Sequence, residues 1–363
     1  MTIKFFLNYI TFLLCISTLI SCSVSSVTLE VVRPAEIDVP KHIQKVFIVN
    51  RSAPSKNYQF DNILDGILSG EGVGDDKQGS EMCILGLKQI LRINLGRDSR
   101  FDIVNEEDLL NYENMRGTGT SEFPKPIKWK KINKVFKNYD VDGLIVLETF
   151  DSQSSIINGG IVNKLPFLNK KKNKVKSIKA TLDVTVELGW RIYDIKNQKI
   201  IDKQVFTDQK IFSQQGLTFE IARDKLPTKR YAISQTGLFA GEQYGFRISP
   251  KKEIVKRSFY KKANKSFKVV NESFQKASRL IKDDQFEKSA TIWRSFVTHE
   301  NTQIAGRACF NMALVCELKN KFNLAVDWIE KSISYNNEKA VAYLSILKDR
   351  QNEIKRVKQQ LKK

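Results

Sequence analysis

Thr181-Leu182-Asp183-Val184-Thr185-Val186-Glu187-Leu188-Gly189-Trp190-Arg191-Ile192 sets apolar Leu, Val, Val, Leu, Trp and Ile on alternate positions. A period of two places successive side chains on opposite faces of a strand, so this stretch predicts a long strand with one buried and one wet face. Asp194 to Lys199 then reads as a hairpin turn, and Ile200 to Thr207 as the return strand.

Upstream, the apolar runs Lys45–Asn50 and Val141–Leu147 read as buried strands, and Phe101–Val104 as a short one. Between them a helix is expected from a Ser80 cap to about Leu95, with Ile84, Leu87, Leu91 and Leu95 on one face and Gly96 as its stop. Glu107 to Tyr112 suggests a helical turn. A second helix is expected from Pro126, with Trp129, Ile132, Val135 and Phe136 inward and lysines outward. This order predicts an α/β domain with a mixed sheet in two or three layers over residues 41–250. Gly237, Gly241 and Gly245 recur every four residues, which on a helix lets another backbone approach closely.

The loop containing Gly66, Gly70, Gly72, Gly74 and Gly79 invites a phosphate-binding reading, but neither glycine-rich nucleotide motif is satisfied and its neighbours Glu71, Asp75 and Asp76 are acidic. The expectation there is a flexible loop.

The last third, 266–363, is expected to be all-α. Gly306 to Asn337 resembles the tetratricopeptide repeat, with small Ala313 and Ala325 where two helices must approach, Phe322 after the turn, and Trp328 on the buried face. An earlier copy places Ala277, Phe286, Ser289 and Trp293 alike, and Phe286 and Phe322 stand 36 apart, near the repeat's usual period. Ala340 to Leu361 reads as a capping helix. A plain helical bundle is the competing reading.

Lys4, the apolar run Phe5 to Ile20 and then Ser21-Cys22 have the order of a secretory signal, and the run is short for a span. Leu19-Ile20-Ser21-Cys22 resembles the bacterial lipobox, which implies removal of residues 1–21 and acylation of Cys22. An ordinary signal peptide is the alternative. Residues 22–40 are expected to be a tether. Cys83, Cys309 and Cys316 lie at apolar positions and suggest buried thiols.

Net charge is +20, and the excess is concentrated. Six lysines lie in 125–137, seven in 164–179, including Lys170, Lys171, Lys172 and Lys174, and eight basic residues in 251–268, including Lys251, Lys252, Lys256 and Arg257. The last block makes 251–265 a basic connector. Such patches suit an anionic lipid or glycan, while a lysine-rich solvated surface explains them equally. No nucleic-acid motif is present.

The order from Val46 to Phe206, with Arg100-Phe101-Asp102-Ile103-Val104, Asp142-Gly143-Leu144-Ile145-Val146 and the 181–192 strand, is similar to the envelope α/β domains of curli-secretion lipoproteins, penicillin-binding-protein activators and the amino-terminal domain of the Tol-system propeller protein. Those domains bind partners or assemble. The segments 241–250 and 257–260, with terminal repeats, resemble an uncharacterised family of bacterial envelope lipoproteins.

The chain has two histidines, His42 and His299, far apart in sequence, and Asp183 and Glu187 are about 13 Å apart on a strand at ~3.3 Å per residue. No catalytic, metal or cofactor set is therefore expected. The expectation is a lipid-anchored envelope protein, at the outer membrane facing the periplasm, that binds a protein partner through its repeats. A structural oligomer held to an anionic surface, and a glycan-acting enzyme using Glu71, Asp75 and Asp76, are the alternatives.

Overall fold

The computed structural model describes residues 24–52, 74–93, 99–105, 122–162 and 177–361. Cys22, Glu71, Lys170–Lys172, Lys174, the Gly96 stop and the 107–112 turn lie outside them. The described chain forms two compact units: residues 34–251 with 357–361, and residues 24–33 with 252–356.

The first unit holds a five-stranded sheet ordered β3-β2-β4-β5-β6. β2 (Lys45–Asn50) runs parallel to β3 (Asp102–Ile103) and to the start of β4 (Gly143–Val162). β4, β5 (Ser177–Asp194) and β6 (Lys199–Gly216) form an antiparallel meander, paired from Gly143↔Asp194 to Ile178↔Gly216 with register shifts at Leu147/Thr149, Asn158/Ile161 and Ile192/Tyr193. The mixed sheet was legible in the alternation, but its hairpin strands are longer than the apolar runs that revealed them.

Helix α1 (Asp75–Leu91) and α4 (Lys229–Ile248) cover one face, burying Leu182, Val184, Val186, Leu188, Trp190 and Ile192. A Cβ on Gly241 would overlap the carbonyl oxygen of Cys83, and one on Gly237 that of Gly79, so the four-residue glycine spacing brings the two backbones together. The expected wet face of β5 is wet only in part. Arg191 and Tyr193 are buried, because α2 (Trp129–Phe136) and the segment before it pack over them with Phe47, Leu144, Val146 and Ile132. Short α3 (Phe219–Arg223) packs beside β5 and β6.

Ser80 does not cap α1. The helix starts earlier, at a left-handed Gly74, with Asp75 and Asp76 in its positive first turn. Ser80 is buried, accepting from Asn50 Nδ2 at 2.9 Å and donating to the Lys77 carbonyl at 2.8 Å. Gly79 belongs to this helix and not to a loop. The second helix starts at Trp129, three residues after Pro126.

The second unit contains α5 (Lys268–Lys282), α6 (Phe286–Arg294), α7 (Thr302–Leu318), α8 (Phe322–Ser334) and most of α9 (Glu338–Leu361). It also contains a two-stranded sheet of β1 (Val24–Arg33) and β7 (Lys251–Tyr260). This corrects two boundaries: the expected tether 22–40 holds β1, and the expected connector 251–265 holds β7. Serines and lysines gave each stretch a linker composition, and its pairing partner is more than two hundred residues away.

Candidate functional site: one strand clasped, one edge open

The helical unit repeats itself. α5–α6 and α7–α8 are joined by turns with Asp284 and Asn320 both at φ 57°. Each turn closes with the same long bond, Gln285 N–H to the Leu280 carbonyl at 2.9 Å and Lys321 N–H to the Cys316 carbonyl at 2.8 Å. These are left-handed helix C-caps that satisfy otherwise orphaned carbonyls. Ala277, Ser289, Trp293, Ala313 and Ala325 are fully buried, and Ser289 Oγ donates to the Ala277 carbonyl at 2.9 Å. Phe286, Phe322 and Trp328 pack at the margin of that core.

Strand β7 is held by these helices. Asn311 of α7 accepts from the Tyr260 N–H and donates to the Tyr260 carbonyl, both at 2.8 Å, so one side-chain amide takes the place of a neighbouring strand. Arg257 reaches Glu317 through Nε and Nη2 at 3.0–3.1 Å, and Tyr343 Oη donates to the same carboxylate at 2.6 Å. Burial, with Glu317 beside it, pushes the Tyr343 hydroxyl pKa well above its ordinary value. Phe259 packs on Trp293 and Tyr260 on Phe310, both edge-on. Arg257 was expected in a solvent-facing basic patch for an anionic surface. It is 9 % exposed and spent on Glu317. Lys252 pairs with Glu30 at 3.0 Å, Lys251 lies over the Phe246 ring, and Lys256 is exposed.

In the α/β unit the polar side chains also engage one another. Buried Glu148 accepts from Arg191 at 2.8 Å, Arg51 at 2.5 Å and Tyr193 Oη at 2.8 Å, which knits β2, β4 and β5 together. Burial, then Glu148, raises the Tyr193 hydroxyl to about 12. The sequence-nominated acids do not converge. Asp75 binds Arg230 at 2.7 Å, Asp76 accepts from Ser152, and Asp183 accepts from Gln209 at 2.7 and 2.8 Å. His42 meets Asp194 at 3.0 Å, and His299 Nδ1 accepts from Asn301 N–H. Among the described residues no three His, Cys, Asp or Glu side chains are placed to hold a metal, and no helix is long and apolar enough to cross a membrane.

β4 presents the opposite case from β7. β2 accompanies it only to Leu147, and beyond that point no described strand pairs with its outer edge. From Ser152 to Val162 it has neither charge nor proline. Ile156 stands opposite Leu182 and Ile157 opposite Thr181, so they lie on opposite faces, yet they are 44 % and 49 % exposed. Pairing with β5 shifts register between Leu147 and Thr149 and again between Asn158 and Ile161, and resumes at Ile161↔Ile178 and Val162↔Ser177. The sheet's other edge, β6, carries Lys199, Lys203, Asp208 and Lys210, charges of the kind that deter edge-to-edge pairing.

Residues 43–260 match a family model described as a domain of unknown function, DUF8603. The chain belongs to the DUF8603 family. Residues 275–362 match a second domain of unknown function, DUF6340. No curated protein matches.

The DUF8603 stretch includes β7 as well as the sheet, and the DUF6340 match covers most of α5 through α9. Sequence reasoning passed over Asn311, Glu317, Glu148 and Arg191. The one available signal was a polar residue inside an otherwise apolar stretch, as at Asn311 in Cys309-Phe310-Asn311-Met312-Ala313. β7 also alternates, Val255, Arg257 and Phe259 inward, but its lysines conceal the pattern.

Proposed function

We propose that this DUF8603 protein is a lipid-anchored, non-catalytic scaffold of the bacterial cell envelope, and that it binds an extended segment of a protein partner along the outer edge of β4. The observation that carries this reading is that edge: uncharged from Ser152 to Val162, exposed from Ser155 to Ile161, and bordered by isoleucines on both faces. Strand addition draws affinity from main-chain hydrogen bonds and specificity from alternate side chains. The lipobox-like Leu19-Ile20-Ser21-Cys22 supports the anchor and the envelope address. The repeated helix hairpins support a tetratricopeptide-like unit serving as the platform, with β7 as its internal ligand.

The test is recovery of tagged full-length protein from cross-linked native envelopes. A protein partner recovered with the wild type and lost with Ile157→Lys is the expected result; unchanged recovery contradicts the reading. A second reading places the partner on the helices, where Leu324 and Val341 are exposed. Loss of the partner with Leu324→Glu and Val341→Glu, and not with Ile157→Lys, would select it.

A further inference from the structure

We infer that Lys261, Lys265, Lys268, Phe267 and Val269 form a membrane-contact face that docks on anionic phospholipid. Lys252 pairs with Glu30 and Arg33 with Glu253, so the end of β1 lies against the start of β7. The two strands therefore run antiparallel, and Val24 at the start of β1 lies at the Tyr260 end of β7. Helix α5 packs beside β1, and Val24 and Val27 pack against the helical core.

Beyond Tyr260 the chain turns through Lys261, Lys262 and Lys265 into the first turn of α5 at Lys268. Asn271 holds that turn in shape, accepting from the N–H groups of Ala263 and Asn264 and donating to the Asn264 carbonyl. Arg307 fastens it from α7 through the Ala263 carbonyl at 2.8 Å. Phe267 is 37 % and Val269 76 % exposed, flanked by exposed Lys265 and Lys268. Glu272, one helical turn after Lys268, is the one acid between residues 254 and 282 and leaves the turn basic. Exposed apolar side chains among lysines are what an interfacial contact requires: the apolar groups enter the headgroup boundary and the ammonium groups meet phosphate.

The anchor brings this face to the bilayer. Cys22 precedes Val24 by two residues, a reach of about 7 Å at ~3.6 Å per residue. An acyl chain on Cys22 would hold the Tyr260 end of β7 at the membrane surface, and the other end of β7, with Lys252, Lys256 and exposed Ile254, away from it. The inference rests on the lipid-anchored reading for this approach, and on the turn's own residues for its chemistry.

The test uses the full chain with a single added thiol, Val269→Cys or Ile254→Cys, carrying an environment-sensitive fluorophore. Cys83, Cys309 and Cys316 are buried and escape labelling; labelling at Cys15 or Cys22 is checked by peptide mass, and only protein labelled at the added thiol alone is read. Vesicles of phosphatidylglycerol with phosphatidylcholine are compared with phosphatidylcholine alone and with soluble peptidoglycan fragments. The expected result is a blue shift at position 269 and not at 254, seen with phosphatidylglycerol. It disappears in Lys261→Gln/Lys265→Gln/Lys268→Gln and in 1 M salt, where the Debye length is about 3 Å. Equal behaviour of the two positions, a shift indifferent to lipid charge and to the three lysines, or a shift with peptidoglycan alone overturns the inference. The mass of the amino-terminal peptide is read in parallel. An unacylated Cys22 with the shift retained defeats the anchor only, and an acylated Cys22 with no shift defeats the contact face only.

Discussion

β7 and the outer half of β4 carry the same backbone groups and are treated differently by the fold. β7 is paired with β1, clasped by Asn311 and fastened through Arg257 to Glu317 and Tyr343. β4 beyond Leu147 pairs with β5 on one side and, among the described residues, with no strand on the other. The difference shows that a strand's composition does not say whether it is available. The lysine-rich strand is sequestered, and the uncharged strand with its isoleucines is offered to solvent.

Glu317→Ala is expected to produce the largest effect. It leaves the Arg257 guanidinium buried without its carboxylate, and breaking a buried pair from one side costs ~3–5 kcal/mol. Urea unfolding of the full chain measures it, and a loss under 1 kcal/mol would mean that β7 is not held as described. Asn311→Ala comes next. It strips the Tyr260 N–H and carbonyl of their partner in a buried place, for a loss of ~1–3 kcal/mol in the same assay.

On the open strand the expectation reverses. Ile157→Lys replaces an exposed side chain on an edge, so stability should move by no more than ~0.5 kcal/mol while partner recovery falls. A large destabilisation would show that this edge is covered in the native protein. Asp151, at the base of the same edge, has its carboxyl pKa raised by burial and then by Glu187. A carboxyl raised in the fold binds its proton more readily there than in the unfolded chain. Wild-type stability therefore declines as pH rises from the ordinary carboxylate value through the raised one. Asp151→Asn should remove that decline, making the variant the more stable protein at pH 7 and no more stable at pH 3. The smallest signal concerns the thiols. Burial lifts Cys309 to about 11 and raises Cys83 and Cys316, so none should react with an aromatic disulfide at pH 8 until the chain unfolds.

The parts of the fold legible in the sequence were those governed by local periodicity. The alternation from Leu182 to Ile192 identified the central strand and its buried face, and Gly237, Gly241 and Gly245 identified a close helix crossing. Ala277, Ala313 and Ala325 marked where the hairpin helices approach. Long-range pairing was not legible. Nothing local in Val24–Arg33 names a partner at Lys251–Tyr260, and nothing in Arg257 says that it is buried against a glutamate sixty residues on. The candidate edge escaped notice because Ser152 to Val162 has no motif. Its meaning lies in what stands beside it, which depends on β2 ending at Asn50.

The most direct test of the account is a photo-reactive amino acid placed at Ser155 on the β4 edge, with Gln209 on β6 as the matched control, in the full chain in its native envelope. The account predicts a discrete protein adduct from position 155 and none from position 209. Equal adducts from both positions, or none from 155, would contradict it.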